Sequence, residues 1–387
     1  MFQILTLNKI AAVGLSQLAP ERFTAADNIE NPDGILVRSA KMHDYAFPPA
    51  LRAIARAGAG TNNIPIDRCS EAGIVVFNTP GANANAVKEE VIFAMLAASR
   101  RMFEANQWAR EEAAAGADIL TTMEKAKSQF AGPEILGKTL GIVGLGAIGA
   151  KVADAALSLG MNIVGYDPYL SVPTALALDR RVRVVQQLDD LLKAADYVSL
   201  HVPLSDGTRN MLDAEAIAKM KDGARLINLA RNGLVDEAAL LQAMQAGHVA
   251  AYVTDFPSRE IANAPGVIAL PHLGASTPES EDNCAIMAAH ELQDYLENGN
   301  ILHSVNLPDV SLPRSGAARI CLIHHNIPAT LAQITSIVSA EGLNVENLAN
   351  KSRSEYAYTL LDVNGTISDA ATEKLSQIEG MIRIRVI

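Results

Sequence analysis

The chain has 387 residues, of which 49% are hydrophobic and only 4% aromatic, and its formal net charge is −11. That length accommodates two or three domains whose cores rest on Ala, Leu, Ile and Val. The acid excess argues against the basic stripe that a nucleic-acid groove needs, but a small anionic substrate requires only a few local cations.

Cys69, Cys284 and Cys321 have no metal-ligand spacing. A sparse, odd set fits a reducing cytoplasm, with neither a disulfide framework nor a metal site expected. Residues 1–10 form a short apolar strand without the charged start and long apolar core of a signal peptide. No apolar run approaches the roughly 18 residues of a membrane span. A cytoplasmic protein without membrane or nucleic-acid partners is expected.

Along the first 90 residues, strands are predicted over 34–39 and 73–78, the second ending at the turn residues Thr79-Pro80-Gly81. Residues 86–110 are Ala-rich with apolar positions at helical spacing and predict one long helix. Residues 127–137 read as a loop. Thr139–Val143 is a short apolar strand, 148–159 a helix stopped by Gly160, and Asn162–Tyr166 a strand stopped by Asp167-Pro168. Further strands are predicted over 197–201, Ala224–Asn228, 250–254 and 266–270, with helices over 214–220 and 237–246. Such alternation predicts a parallel sheet wrapped by helices. Pro278–Asn298 predicts another long helix, and 306–316 a Pro/Ser/Gly linker. Beyond it the order is β-α-β-β-α-β, that of a small ferredoxin-like domain.

Gly144-Leu145-Gly146-Ala147-Ile148-Gly149 lies between a strand and a helix, the context a dinucleotide motif requires. Gly144 permits the tight turn, Gly146 the approach of phosphate and Gly149 close helix packing, while free N–H groups near Ala147 and Ile148 face the pyrophosphate. Asp167 ends the next strand. Its carboxylate can accept both ribose hydroxyls and would repel a 2′-phosphate, so NAD is expected rather than NADP.

Arg231 follows a strand and can grip a carboxylate bidentately. His272, in Pro271-His272-Leu273-Gly274, can take the proton of a 2-hydroxyl as hydride leaves the same carbon. Glu260 can orient the imidazole and raise its pKa. Ala59 and Gly60 offer backbone amides to a carboxylate. Arg38 and Ser39 offer a seat for a second anionic group such as phosphate, and Asn83 is a further cleft candidate.

Three segments carry a resemblance: 141–149, the run Asn228-Leu229-Ala230-Arg231-Asn232-Gly233 continuing to Glu237, and Pro271-His272-Leu273-Gly274-Ala275-Ser276. They resemble the signatures of the D-2-hydroxyacid dehydrogenase family, and the likeness runs through essentially the whole chain. It implies a catalytic trio of Arg231, Glu260 and His272, with Asp255 touching the nicotinamide amide. It places Leu229, Ala230, Gly274 and Ala275 beside the cofactor. It implies an α/β architecture of two doubly wound parallel-sheet domains, Rossmann-like and flavodoxin-like, plus a C-terminal ferredoxin-like ACT domain. The expected divisions are a substrate-binding domain over 1–90 and 285–310, the NAD domain over 91–284 and the ACT domain over 316–387. The cleft between the first two would close on the substrate.

The ACT-like segment places His324, Asn326 and Asn344 at positions where relatives bind L-serine at a domain interface, so a serine effector and a homodimer or homotetramer are implied. The leading expectation is oxidation of 3-phosphoglycerate to 3-phosphohydroxypyruvate with NAD. A reductase for glyoxylate, hydroxypyruvate or another 2-oxo acid, and an NAD-sensing binding protein, are the alternatives.

Overall fold

Short aliphatic runs near the N-terminus become five parallel strands: β1 (Phe2–Leu7), β2 (Phe23–Ala26), β3 (Gly34–Val37), β4 (Ala53–Arg56) and β5 (Val75–Phe77), in the order β2-β1-β3-β4-β5. All four residues of β3 are buried, as a strand covered on both faces must be. One cover is the helix Pro278–Asn298, which brings Ala285, Ala288, Ala289, Leu292, Tyr295 and Leu296 to the sheet's apolar cluster.

The computed structural model describes residues 1–387 and divides into two compact units, residues 1–83 with 278–387, and residues 84–277. The divisions fall at Asn83/Ala84 and Thr277/Pro278 rather than at the expected 90/91 and 284/285, because each long helix stays whole within one unit.

The second unit holds seven parallel strands: β6 (Thr139–Val143), β7 (Asn162–Tyr166), β8 (Arg183–Val185), β9 (Tyr197–Leu200), β10 (Ala224–Asn228), β11 (Val249–Thr254) and β12 (Val267–Ala269). Their order, β12-β11-β10-β9-β6-β7-β8, reverses direction between β6 and β9. Ligand crevices of open α/β sheets form at such a switch point, outside the carboxyl ends of the strands. The single helix predicted over 86–110 is two helices, Ala84–Ser99 and Met102–Ala114. The first buries nine residues and the second none, so the apolar stripe that fixes the axis stops at Ser99. There the backbone of Gly132 crosses so close that a Cβ on it would stand 1.9 Å from the Ser99 carbonyl oxygen. The expected loop over 127–137 begins as a 3-10 turn, Lys127–Phe130, preceded by an unforeseen helix, Ile119–Ala126.

Beyond 316 the first unit continues as β13 (Ala318–His325), helix Thr330–Ala340, β14 (Val345–Arg353), β15 (Tyr356–Val363), helix Asp369–Ser376 and β16 (Met381–Val386). The four strands form an antiparallel sheet, β14-β15-β13-β16. One face packs Ile320, Leu322, Leu361 and Val363 against the two helices. The other face is covered at its centre. Cys321, Ile323, Tyr358 and Leu360 join the apolar cluster of the five-stranded sheet.

Polar groups complete this junction. Tyr358 donates its hydroxyl to the Gly299 carbonyl at 2.5 Å, and Arg385 donates to the carbonyls of Tyr295 and Leu296. Arg319, wholly buried, forks onto Asp362 at 2.6 and 2.8 Å and also donates to the Asn298 carbonyl. Two guanidiniums thus meet the exposed carbonyl end of the Pro278–Asn298 helix, where positive charge is favoured. The C-terminal module is therefore built into the first unit rather than tethered to it, although 306–316 reads as a linker.

Glu291 lies on the same long helix with its Oε1 2.8 Å from His303 Nδ1 and its Oε2 buried without a partner. Burial, with Asp309 nearby, pushes its pKa up to about 9. A carboxyl whose folded pKa is raised stabilises the fold below its unfolded pKa and loses that contribution as pH rises through the folded value. Between about pH 4.5 and 9 the protein therefore loses stability through this group. Glu291→Gln is expected to melt higher than the parent at pH 8, by on the order of 1–2 kcal/mol, and to match it at pH 4. Parallel melting curves at both pH values check this; equal shifts at both would place the effect elsewhere.

Candidate active site

At the end of β6 the chain turns at Gly144 with φ +93°, a region that favours glycine. A Cβ on Gly149 would stand 2.0 Å from the Gly144 carbonyl oxygen, so the helix Ala147–Ser158 can begin this close only with glycine there. Gly146 differs. Its φ is −69°, and a Cβ on it would meet nothing within 4 Å. Nothing within the chain demands glycine at that point, so the open space is a cradle that a Cβ would fill. A pyrophosphate facing the amides of Ala147 and Ile148 fits it.

Asp167, just past β7, accepts the Leu145 N–H at 3.0 Å and the Tyr169 N–H at 2.9 Å. Each carboxylate oxygen keeps a lone pair for a ribose hydroxyl. Asp167→Asn is expected to weaken NAD binding about tenfold, roughly 1.4 kcal/mol, and to narrow its advantage over NADP as the negative charge is lost. Fluorescence titration with both cofactors checks this; an unchanged ratio would put the ribose elsewhere.

Arg231 emerges just beyond β10 on a turn shaped by Asn228, which is almost fully buried. Asn228 Oδ1 accepts the N–H groups of Ala230 and Arg231, and its amide donates to the Arg231 carbonyl. The turn leaves Leu229 buried, Ala230 half-buried and the Arg231 side chain exposed. The role of Asn228 was missed by sequence reasoning; an Asn closing an apolar strand just before a functional turn was the available signal.

His272 stands beyond β12 in the left-handed region, φ +43°. Its amide donates to the Asp255 carbonyl at 3.0 Å, and its ring lies 4.4 Å from that of Phe256. Partial burial and the Arg231 guanidinium hold its pKa below the ordinary histidine value. Arg231 and His272, 41 residues apart in the numbering, thus share one electrostatic environment.

The expectation for Glu260 needs correcting. It occupies the first turn of the short helix Arg259–Ala262, exposed to solvent, and makes no hydrogen bond or ion pair with His272. With no carboxylate against the ring, the imidazole is shifted down by burial and Arg231 rather than up. Asp255 is buried, with both carboxylate oxygens lacking a partner, and burial raises its pKa to about 6 against the opposing pull of Arg231. A Cβ on Gly274 would stand 2.7 Å from Glu90 Oε2 and 3.9 Å from Asp255 Oδ2, so both carboxyls lie against this glycine. Ala275 follows, half-buried. Glu90, on the helix Ala84–Ser99, and His201, beyond β9, were not anticipated. Burial pushes His201 down to about 4, so it is neutral, with Nε2 2.9 Å from Ser199 Oγ.

The other candidates lie in the first unit. The amides of Ala59 and Gly60 donate no hydrogen bond within the chain, although the Ala59 carbonyl accepts from Asn78. Arg38 is not free: its guanidinium is 2.6 Å from Glu281. The Ser39 amide donates to Asn8. Asn83 keeps a buried, unpartnered Oδ1. His324 is buried, with its two ring nitrogens bound to the His325 carbonyl and Thr359 Oγ1. Asn326 donates to the Ser354 carbonyl, and the Asn344 amide donates to Asn364. The pairings His324↔Ala357 and Val345↔Val363 put Asn344 at the opposite end of the sheet from His324 and Asn326, so one chain does not bring the three together.

Residues 92–274 match the model of the D-isomer specific 2-hydroxyacid dehydrogenase, NAD binding domain. The chain belongs to the D-isomer specific 2-hydroxyacid dehydrogenases, and its cofactor is NAD. Within that family it is 34% identical to the D-3-phosphoglycerate dehydrogenase of Escherichia coli strain K12, over 87% of this chain and 82% of the relative. It is equally similar, at 34%, to that of Bacillus subtilis strain 168, over 80% of this chain but only 59% of the longer relative. Among solved structures, NAD+-bound 3-phosphoglycerate dehydrogenase of Entamoeba histolytica superposes with a TM-score of 0.61 at 27% identity, covering 79% of this chain and 98% of the other. The NADPH-dependent glyoxylate/hydroxypyruvate reductase of Sinorhizobium meliloti gives 0.64 at 25%, covering 79% and 98%. No helix is long and apolar enough to cross a membrane.

Proposed function

We propose that the chain oxidises 3-phospho-D-glycerate at C2 with NAD+, giving 3-phosphohydroxypyruvate, the entry reaction of serine biosynthesis. The reading rests above all on the juxtaposition of Arg231 and His272 at the carboxyl ends of one parallel sheet, close enough for the guanidinium to depress the imidazole. When bound in the Gly144–Gly149 cradle, NAD+ would supply the hydride acceptor for C2. Arg231 grips the substrate carboxylate and holds the reacting carbon in place. Neutral His272 takes the hydroxyl proton as hydride leaves, and its lowered pKa keeps it an available base at neutral pH. Glu260 would join this pair only by a local movement of its short helix. The free amides of Ala59 and Gly60 suit the carboxylate as well, and Asn83 offers an unpaired acceptor to a hydroxyl. Arg38 and Ser39 suit the phosphate, which must displace Glu281 from the guanidinium.

That Arg38–Glu281 pair favours a second reading, a reductase of unphosphorylated 2-oxo acids such as glyoxylate or hydroxypyruvate. An NADH absorbance assay across phosphohydroxypyruvate, hydroxypyruvate and glyoxylate separates the two. The first reading expects kcat/KM for phosphohydroxypyruvate to exceed the others by at least about tenfold, and Arg38→Ala to erase that margin. A preference for the unphosphorylated acids would establish the second. Tight NADH binding without turnover of any acid would leave an NAD-sensing protein.

The β-α-β-β-α-β module fits an ACT regulatory domain. A serine site made by His324 and Asn326 of one copy with Asn344 of another would require two such modules side by side. Exposed Phe93, Leu96, Met102 and Phe103 on consecutive helices of the second unit support a homo-oligomer. Light scattering with and without serine tests both.

A further inference from the structure

Glu90 and Asp255 form a carboxyl pair that the reaction as described does not use. Glu90 reaches in from the helix Ala84–Ser99, and Asp255 from the turn beyond β11. Glu90 Oε2 and both oxygens of Asp255 are buried without a hydrogen-bond partner from another residue. Glu90 Oε2 and Asp255 Oδ2 both come within 4 Å of the point where a Gly274 Cβ would stand. Arg231, from the turn beyond β10, acts on Asp255; the Tyr252 phenol of β11 also interacts with it, and the backbone N–H of His272, from the turn beyond β12, donates to the Asp255 carbonyl. On the helix itself, Lys88 is engaged with Glu89 at 3.5 Å. One cation for two buried carboxylates leaves a negative charge uncompensated, and like charges this close do not both ionise readily.

We propose that Glu90 and Asp255 hold one proton between them, and that Glu90 thereby makes NADH binding take up a proton that NAD+ binding does not. The inference rests on the placement of the nicotinamide beside Asp255. The oxidised ring carries a positive charge and favours the doubly ionised pair. The reduced ring is neutral and favours the singly protonated pair. By linkage, a ligand that prefers one protonation state binds more tightly where that state prevails. Burial raises Glu90 to about 7 and Asp255 to about 6, so the exchange falls near neutral pH. No covalent step is involved; the proton comes from solvent. Glu90 is on this account a positioning residue that sets the charge of Asp255.

The test is the affinity for NADH relative to NAD+, titrated by fluorescence and calorimetry from pH 6 to 8 on the full chain without substrate. In the parent, that ratio is expected to fall about tenfold across the range, and calorimetry in two buffers of different ionisation enthalpy should show proton uptake with NADH at pH 7. Glu90→Gln, which mimics the protonated acid and removes a repulsion, should flatten the ratio and abolish the uptake. Glu90→Leu should do the same. His272→Asn should keep the slope. A slope retained in both Glu90 variants, or lost in His272→Asn alone, would overturn the proposal and assign the proton to the imidazole. Failure of the catalytic reading is separately visible as absence of turnover in the parent, a result the binding titration does not depend on.

Discussion

His272→Asn is expected to lower kcat by about 10²–10⁴ while NADH affinity at pH 7 changes less than about threefold. The imidazole stands beyond β12, where its ring can meet a substrate hydroxyl, and its amide is fixed to the Asp255 carbonyl at 3.0 Å. Asparagine tolerates the left-handed backbone at this position, φ +43°, better than most residues, so the loop should keep its course. What disappears is the group that takes the proton. In the parent, burial and Arg231 hold the imidazole below its ordinary pKa, so kcat/KM for oxidation should rise with pH through a value lower than that of free histidine and then level off. That limb should vanish in the variant. Equal losses of turnover and NADH affinity would instead give His272 a structural or cofactor-binding part.

Ending the chain after residue 313 is expected to leave the first unit unable to fold. The antiparallel sheet buries Cys321, Ile323, Tyr358 and Leu360 in the same apolar cluster as Phe77, Tyr295 and Ile301. Each large apolar side chain so covered contributes about 1.5–3 kcal/mol, against a total stability of about 5–15 kcal/mol for a typical domain. The truncation also strips Arg319 and Arg385 from the carbonyls of Asn298, Tyr295 and Leu296. Aggregation on expression, or loss of the cooperative melt, is the expected result. Within the full chain, Tyr358→Ala should cost about 3–5 kcal/mol, whereas Tyr358→Phe, which removes the hydroxyl's bonds to the Gly299 carbonyl and Cys321 but keeps the ring, should cost about 1–2 kcal/mol. A soluble 1–313 fragment that melts like the parent would show the junction to be incidental.

The cofactor turn was legible in the sequence because its determinants are local. The positive φ of Gly144, the tight approach at Gly149 and the strand–turn–helix order all lie within a dozen residues. The same holds for the alternating apolar runs that become parallel strands, and for the turns that carry Arg231 and His272. The break at Ser99 was not legible, because burial changes there and the backbone of Gly132, more than thirty residues on, packs against the Ser99 carbonyl.

Glu90 shows the limit most plainly. Within the charged run Lys88-Glu89-Glu90 of an otherwise apolar helix it reads as one more exposed acid, and only the turn beyond β11 turns it into half of a carboxyl pair with buried, unpartnered oxygens. The pKa of His272 is decided likewise by which charges the fold sets near it, Arg231 and not Glu260. Periodicity, turn chemistry and motif spacing are properties of neighbours in the chain, so the sequence by itself determined the sheets, the cofactor turn and the residue types of the site. Desolvation, ion pairing and the fusion of the C-terminal sheet to the first unit depend on which distant segments meet, and only the tertiary structure decided those.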